Sequence, residues 1–224
     1  MFDSSASLDT GILRRFDASG PRYTSYPTAD RFIEAFDVDV YESWARKRGI
    51  GGFGSPLSLY VHLPFCSTIC FYCGCNKVVT RDRSRAARYL TYLDKEMALQ
   101  SALLDRRDVV QLHWGGGTPT FLNNDELRQL MGQIKRHFEL APEAECSIEV
   151  DPRSVASDTI EVLAEIGMTR LSIGVQDFDP EVQKAVNRLQ TEKQTLDVIA
   201  AARRAGYRSV NLDLIYGLPK QTVM

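Results

Sequence analysis

The chain has 224 residues, 44% hydrophobic and 25% charged, with a formal net charge of −2. That suits one globular domain or one and a half, able to bury a core without staples, and argues against a dedicated nucleic-acid binder. No apolar run reaches membrane-crossing length and residues 1–17 lack a signal-peptide core, so the expectation is a cytoplasmic chain without a membrane partner. Its cysteines then read as metal or catalytic groups rather than disulfides.

In chain order, an irregular arm and linker, residues 1–54, lead through the glycine-rich stretch 49–56 into a first strand at 57–63. Further strands are expected at 109–114, 146–151, 170–176 and 209–216. Helical stripes separate them: Leu90, Leu93, Met97 and Leu104, then Leu127, Leu130, Met131, Ile134 and Phe138. A third helix opens near Ser157 and stops at Gly167. Asp179-Pro180 forms an N-cap followed by proline at the first helical position, and Thr191 with Gln194 forms a capping box for a helix that Gly206 ends. Strand alternating with helix predicts an α/β fold of parallel strands, wound as a partial (β/α) barrel over residues 55–224.

Parallel strands covered on both faces usually read as unbroken apolar runs. These alternate. Ser58, Tyr60 and His62 oppose Leu57, Leu59, Val61 and Leu63, while Gln111 and His113 oppose Val110, Leu112 and Trp114. Ser147, Glu149 and Asp151, then Ser172, Gly174 and Gln176, then Asn211 and Asp213 continue the polar set. With the apolar set on the helices, the polar set lines a lumen whose reactive end is the C-terminal rim.

At that rim, after the first strand, Phe65-Cys66-Ser67-Thr68-Ile69-Cys70-Phe71-Tyr72-Cys73-Gly74-Cys75 places four of the five cysteines within ten residues. Thiols at CxxxCxxC spacing can share one iron–sulfur cluster and leave one iron without a protein ligand, open for chemistry. A structural zinc would instead recruit Cys66, Cys70, Cys73 and Cys75 together, although Cys73 and Cys75 sit cramped, two apart. After the second strand comes Trp114-Gly115-Gly116-Gly117-Thr118-Pro119-Thr120. Its glycines let the backbone approach a ligand and bare its N–H and C=O groups. The fifth cysteine, Cys146, reads as a small buried hydrophobe at a strand start.

The two motifs together resemble the radical S-adenosylmethionine superfamily. Arg22-Tyr23-Thr24-Ser25-Tyr26-Pro27-Thr28, Tyr60-Val61-His62-Leu63-Pro64-Phe65-Cys66, Cys73-Gly74-Cys75-Asn76-Lys77 and Asp213-Leu214-Ile215-Tyr216-Gly217-Leu218-Pro219 narrow the likeness to its oxygen-independent coproporphyrinogen III oxidase (dehydrogenase) family. The resemblance implies one 4Fe–4S cluster on Cys66, Cys70 and Cys73, and two S-adenosylmethionine molecules. Tyr60, the backbone at Tyr72, Gly116, Gly117 and Thr118 would line the first, with Glu149, Gln176, Arg188 and Asp213 at further cofactor-contacting positions. Tyr72 departs from the phenylalanine of the best-known members, harmlessly for a main-chain contact.

The implied reaction is oxidative decarboxylation of two propionates of coproporphyrinogen III to the vinyl groups of protoporphyrinogen IX, in haem biosynthesis. The cluster's electron would split the cofactor to a 5′-deoxyadenosyl radical, which takes a hydrogen from the propionate β-carbon. Cys75 is implied to be a non-ligand that supports a second cofactor or a proton or electron step, and Arg22 to meet a propionate. The family likeness also implies a monomer reduced by a flavodoxin or ferredoxin. It further implies a sixth strand and a C-terminal helical domain, which makes this five-stranded chain a truncated form.

Alternatives remain. A haem-chaperone-like member would bind haem without this oxidation, and an inactive fragment would hold the cluster alone. Each strand carboxylate could be a satisfied ion pair in the barrel wall, and Cys75 a spare thiol. His62 and His113 could touch substrate or buttress loops. His137 and the run Arg81, Arg83, Arg85 and Arg88 read as solvated.

Overall fold

Five segments in which every second residue is apolar form the strands of one all-parallel sheet. The computed structural model describes residues 10–17, 28–47 and 55–222, which divide into two compact units between Trp44 and Ala45. The arm motif at residues 22–27, with Arg22, and the linker glycines through residue 54 lie outside the described residues.

The first unit is more regular than the sequence suggested. It contains α1 (Thr10–Phe16), a short 3-10 turn at Ala29–Arg31 and most of α2 (Val38–Lys47), whose last turn crosses the boundary. Asp37 Oδ1 accepts from the Val40 N–H at 3.0 Å, which starts α2 in the manner of an N-cap.

In the second unit, β1 (Leu57–Leu63) is followed by the short β2 (Phe65–Cys66) and β3 (Val78–Val79), which pair with each other in parallel and bracket the cysteine loop. Then come α3 (Ser84–Ala102), β4 (Asp108–Gly116), α4 (Asn124–His137), β5 (Glu139–Val150) and α5 (Ser157–Glu165). The unit ends with β6 (Arg170–Gln176), α6 (Pro180–Ala185), α7 (Glu192–Arg204) and β7 (Ser209–Leu214). The large sheet runs β1-β4-β5-β6-β7, with β1 and β7 as its two edges. It is the predicted partial α/β barrel, left open.

Helix boundaries follow their caps. Asp179 accepts from the Glu181 and Val182 N–H groups, with Pro180 at the first position of α6. Thr191 and Gln194 form the expected box on α7, and Gly167 and Gly206 end α5 and α7 at φ of +109° and +82°. An unpredicted second box, Asn123 with Glu126, starts α4.

The core lies between the sheet and its helices. Leu112, Trp114, Ile148, Leu171 and Ile173 from the strands pack with Leu90, Leu127, Leu130, Ile134, Ile160 and Leu163, all fully buried. Each such side chain stabilises by roughly 1.5–3 kcal/mol relative to exposure. β6 alternates as expected, with Leu171, Ile173 and Val175 inward.

Some expectations need correcting. Leu57 pairs with Val109 but Ser58 with Gln111, so Val110 is an extra residue on β4. This bulge throws Val110 out to 39% exposure and buries Val109 in its place. β5 begins at Glu139, so Cys146 is buried in mid-strand rather than at a strand start. β7 stops at Leu214, leaving Tyr216 beyond it. His137 is not solvated: its Nε2 lies 2.9 Å from Asp94 Oδ1. Arg83, exposed as expected, also donates to the Phe121 carbonyl and covers the Phe121 ring.

Candidate active site

Parallel strands present their C-terminal ends on one rim, and here that rim surrounds an open cavity of about 220 Å³. It is lined by Cys66, Cys70, Cys73 and Cys75, by Tyr72, by Gly116, Gly117 and Thr118, and by Glu149, Gln176, Arg188 and Asp213. Every candidate site residue within the described residues is therefore brought to one place, except Tyr60. That ring is 58% exposed, stacks on His113 at 5.8 Å and meets His62 Nδ1 through its hydroxyl at 3.1 Å.

The glycine turn is shaped by close approach. Gly117 N–H donates to the Leu63 carbonyl at 2.8 Å and Thr118 N–H to the Phe65 carbonyl at 2.8 Å, which continues the sheet into the β1–β2 bend. A Cβ on Gly117 would stand 2.7 Å from the Pro64 carbonyl oxygen. One on Gly116, at φ +115°, would strike the His62 ring at 2.7 Å. Only glycine fits both positions. Gln176 also stands at positive φ, +71°, a strained conformation for a side chain at the cavity wall.

His62 locks the cysteine loop to β1. The Asn76 carbonyl 2.8 Å from its Nε2 can only accept, so Nε2 carries the proton and Nδ1 accepts from Tyr60. Neither His62 nor His113 lines the cavity. Ring Nε2 of His113 faces Glu149 Oε1 at 3.5 Å, while Glu149 Oε2 accepts from the Gly116 N–H at 3.2 Å. Ser172 donates to Asp213 Oδ2 at 2.7 Å.

The far side of the cysteine loop is held by the end of α6. Phe71 N–H donates to the Val186 carbonyl at 3.0 Å, and Asn187 Nδ2 donates to the Ile69 carbonyl at 2.7 Å from a left-handed backbone. Lys77 Nζ donates to the Cys73 carbonyl at 3.1 Å. Thr118 Oγ1 donates to Cys66 Sγ at 3.5 Å.

Sequence reasoning missed one group. Arg153, just beyond β5, grips Asp151 with Nε at 3.0 Å and Nη2 at 2.6 Å, and reaches Cys70 Sγ with Nη2 at 3.7 Å. Arg188 joins them, its Nη1 3.3 Å from Asp151 Oδ2 and 3.6 Å from Cys70 Sγ, and its Nη2 donating to the Gly174 carbonyl at 2.6 Å. An Asp-x-Arg at a barrel strand's C-terminal end was the available signal.

Burial pushes the Cys66 thiol up, and lifts Cys75 to about 11 with help from neighbouring Cys73. For Asp151, burial alone would raise the carboxyl, but the Arg153 hydrogen bonds and the charges of Arg188 and Arg153 outweigh it and hold it below the usual range.

Both the fold and this rim define an α/β barrel-type domain with a cysteine-rich cofactor mouth. The description "Radical SAM superfamily" matches residues 60–223, and the chain belongs to that superfamily. Among individual proteins, it is 53% identical over 217 residues to an oxygen-independent coproporphyrinogen III oxidase of Pseudomonas aeruginosa, covering 96% of this chain and 47% of that protein. It is 47% identical over 215 residues to the oxygen-independent coproporphyrinogen III oxidase of Escherichia coli, covering 96% and 46%. The solved structure of Escherichia coli coproporphyrinogen III oxidase, described as a radical SAM enzyme, superposes with a TM-score of 0.87 at 45% identity, over 96% of this chain and 47% of that one. The chain spans about half the length of the curated relatives it matches.

Superfamily membership implies a 4Fe–4S cluster and S-adenosylmethionine, and the rim fits them. Among the described residues no three His, Cys, Asp or Glu groups converge closely enough to hold a single ion in this structure. A cube has several irons, each of which can take its own thiolate, so its ligands need not meet at a point. Hydroxyl and guanidinium donors already aim at Cys66 and Cys70 sulfurs, as thiolates require.

Proposed function

We propose that this chain supplies the radical-generating half of an oxygen-independent coproporphyrinogen III dehydrogenase, which oxidatively decarboxylates two propionates of coproporphyrinogen III to the vinyl groups of protoporphyrinogen IX. The observation that carries this is the convergence of the CxxxCxxC thiols, the close-packed Gly116-Gly117 turn and the charged side chains of Glu149, Arg188 and Asp213 on one cavity, in a chain 53% identical to a protein of that name.

The cluster and S-adenosylmethionine supply, when bound, a one-electron route to a 5′-deoxyadenosyl radical. The residues do the rest. Cys66, Cys70 and Cys73 hold the metal. Gly116, Gly117 and Thr118 offer backbone groups to the cofactor's methionine end, and Tyr72 adds a main-chain contact. Arg188 forks onto a carboxylate, while Glu149 and Asp213 accept from ammonium or ribose hydroxyls. Gln176 and Tyr60 complete the first cofactor's surroundings, and a second S-adenosylmethionine binds alongside. Cys75 serves a later proton or electron step. Arg22, in the arm and linker of residues 1–54, meets a propionate.

The protein acts as a cytoplasmic monomer reduced by a flavodoxin or ferredoxin, without nucleic acid or membrane. The net charge of −2 argues against a dedicated nucleic-acid partner, and among the described residues no helix is long and apolar enough to cross a membrane.

The test is anaerobic reconstitution with iron and sulfide. Dithionite and S-adenosylmethionine should yield 5′-deoxyadenosine and methionine, and added coproporphyrinogen III should become protoporphyrinogen IX. A cluster that never cleaves the cofactor selects the inactive-fragment alternative. Cofactor cleavage without porphyrinogen conversion, together with haem binding, selects the chaperone alternative.

A further inference from the structure

Two guanidiniums approach one cysteine sulfur, and only one of them figures in the cofactor site argued above. Arg153 Nη2 stands 3.7 Å from Cys70 Sγ and Arg188 Nη1 3.6 Å from it, with Asp151 between them. Arg188 is buried and its partners are partly so: the side chains of Asp151 and Arg188 are 11% and 8% exposed, that of Arg153 20%. Arg153 is fixed on Asp151 by bonds from both Nε and Nη2, so its remaining reach towards Cys70 is preorganised.

We propose that Arg153, oriented by Asp151, is a positioning residue for the Cys70 thiolate that sets the reduction potential of the cluster held there. This rests on the radical reading, since it needs Cys70 to be a cluster ligand. Reduction by a low-potential one-electron donor adds one negative charge to the cluster and its thiolates. A buried cation donating to a ligand sulfur favours the more negative, reduced form and raises the potential, because net charge and hydrogen bonds to sulfur are what tune such centres. Two guanidiniums and one carboxylate leave one net positive charge beside Cys70. Arg188 is assigned above to the cofactor carboxylate. Arg153 has no such second task, so it remains the cation on Cys70 throughout the cycle.

The sign can be made to reverse. Arg153→Gln removes the cation, while Asp151→Asn removes the opposing anion. A paramagnetic-resonance-monitored redox titration of reconstituted protein, without S-adenosylmethionine or substrate, reads the effect. Arg153→Gln should disfavour the reduced cluster at least tenfold, which is about 59 mV for one electron. Arg153→Lys should stay nearer the native protein, and Asp151→Asn should shift the opposite way.

Shifts below twofold in Arg153→Gln, or shifts of the same sign in both neutralised variants, overturn the proposal. So does an unmoved potential with a tenfold loss of S-adenosylmethionine affinity in Arg153→Gln, which would make Arg153 a cofactor contact. If Arg153→Gln fails to retain a cluster, Asp151→Asn decides: a raised potential supports the proposal, and an unchanged or lowered one refutes it. A native protein that forms no cluster at all would instead sink the radical reading itself.

Discussion

Substituting Gly117 by alanine tests the shape of the cofactor turn through stability and binding together. The added Cβ would lie 2.7 Å from the Pro64 carbonyl oxygen, and 2.8 Å from both the Pro64 carbonyl carbon and the Phe65 carbonyl oxygen. All three are backbone atoms, so relief requires the glycine turn after β4 and the β1–β2 bend to move apart. Overpacking of this kind costs about 1–3 kcal/mol. Alanine restricts the unfolded chain and returns roughly 0.4–1 kcal/mol. The net loss is therefore about 1–2 kcal/mol, or a melting temperature lower by roughly 2–8 °C in a chain of this size. Gly132 in α4 is the control: it is exposed, and a Cβ there meets nothing within 4 Å. Gly132→Ala should stabilise by about 0.5–1 kcal/mol through helix propensity. Thermal and urea unfolding of the metal-free variants measure both effects, and anaerobic calorimetry on reconstituted protein should find S-adenosylmethionine binding weakened at least tenfold in Gly117→Ala alone. If Gly117→Ala proves as stable as the native chain and binds the cofactor normally, the close-approach argument is wrong.

Single alanine substitutions at Cys66, Cys70 or Cys73 should abolish retention of four irons per chain, whereas Cys75→Ala should keep the iron and its spectrum but lose porphyrinogen conversion. Iron analysis with absorbance separates the two groups. Asp151 has a carboxyl held below its ordinary value, so its contribution to stability is complete above the unfolded carboxylate pKa of about 3.9 and is lost as pH falls through the lower folded value. Urea titrations of the metal-free chain across acid pH should show that loss, and Asp151→Asn should lack this part of the slope. Asn123→Ala removes the side-chain half of the α4 capping box, the bond accepted from the Glu126 N–H, and leaves the bond from the residue-123 N–H to Glu126; it should cost about 1 kcal/mol, seen as a lower urea midpoint with an unchanged slope.

Much of the fold was legible because its signals are local. The apolar alternation in 170–176 fixes which face of β6 is buried, and Asp179-Pro180 and Thr191 with Gln194 fix helix starts through bonds spanning three residues or fewer. Where reading failed, the deciding partner was distant in sequence. The bulge at Val110 exists because β4 must register with β1 and β5 at once, and nothing within β4 reveals it. His137 looked solvated beside Lys135 and Arg136, yet Asp94, 43 residues earlier on α3, receives it.

The candidate site divides along the same line. Cysteine spacing and the glycine run are written contiguously, so their chemistry could be read directly. The charged cradle behind them is assembled from Arg153 after β5 and Arg188 after α6, meeting Asp151 and Cys70 across gaps of up to 118 residues. A carboxylate with one guanidinium is an ordinary ion pair in a barrel wall. The same carboxylate with two guanidiniums, both within reach of one thiol sulfur, leaves a buried surplus cation, which is costly unless something negative sits beside it. An anionic cluster on Cys70 is the partner that would relieve that surplus, which is why the network argues for a charged metal centre more strongly than the cysteine spacing does alone.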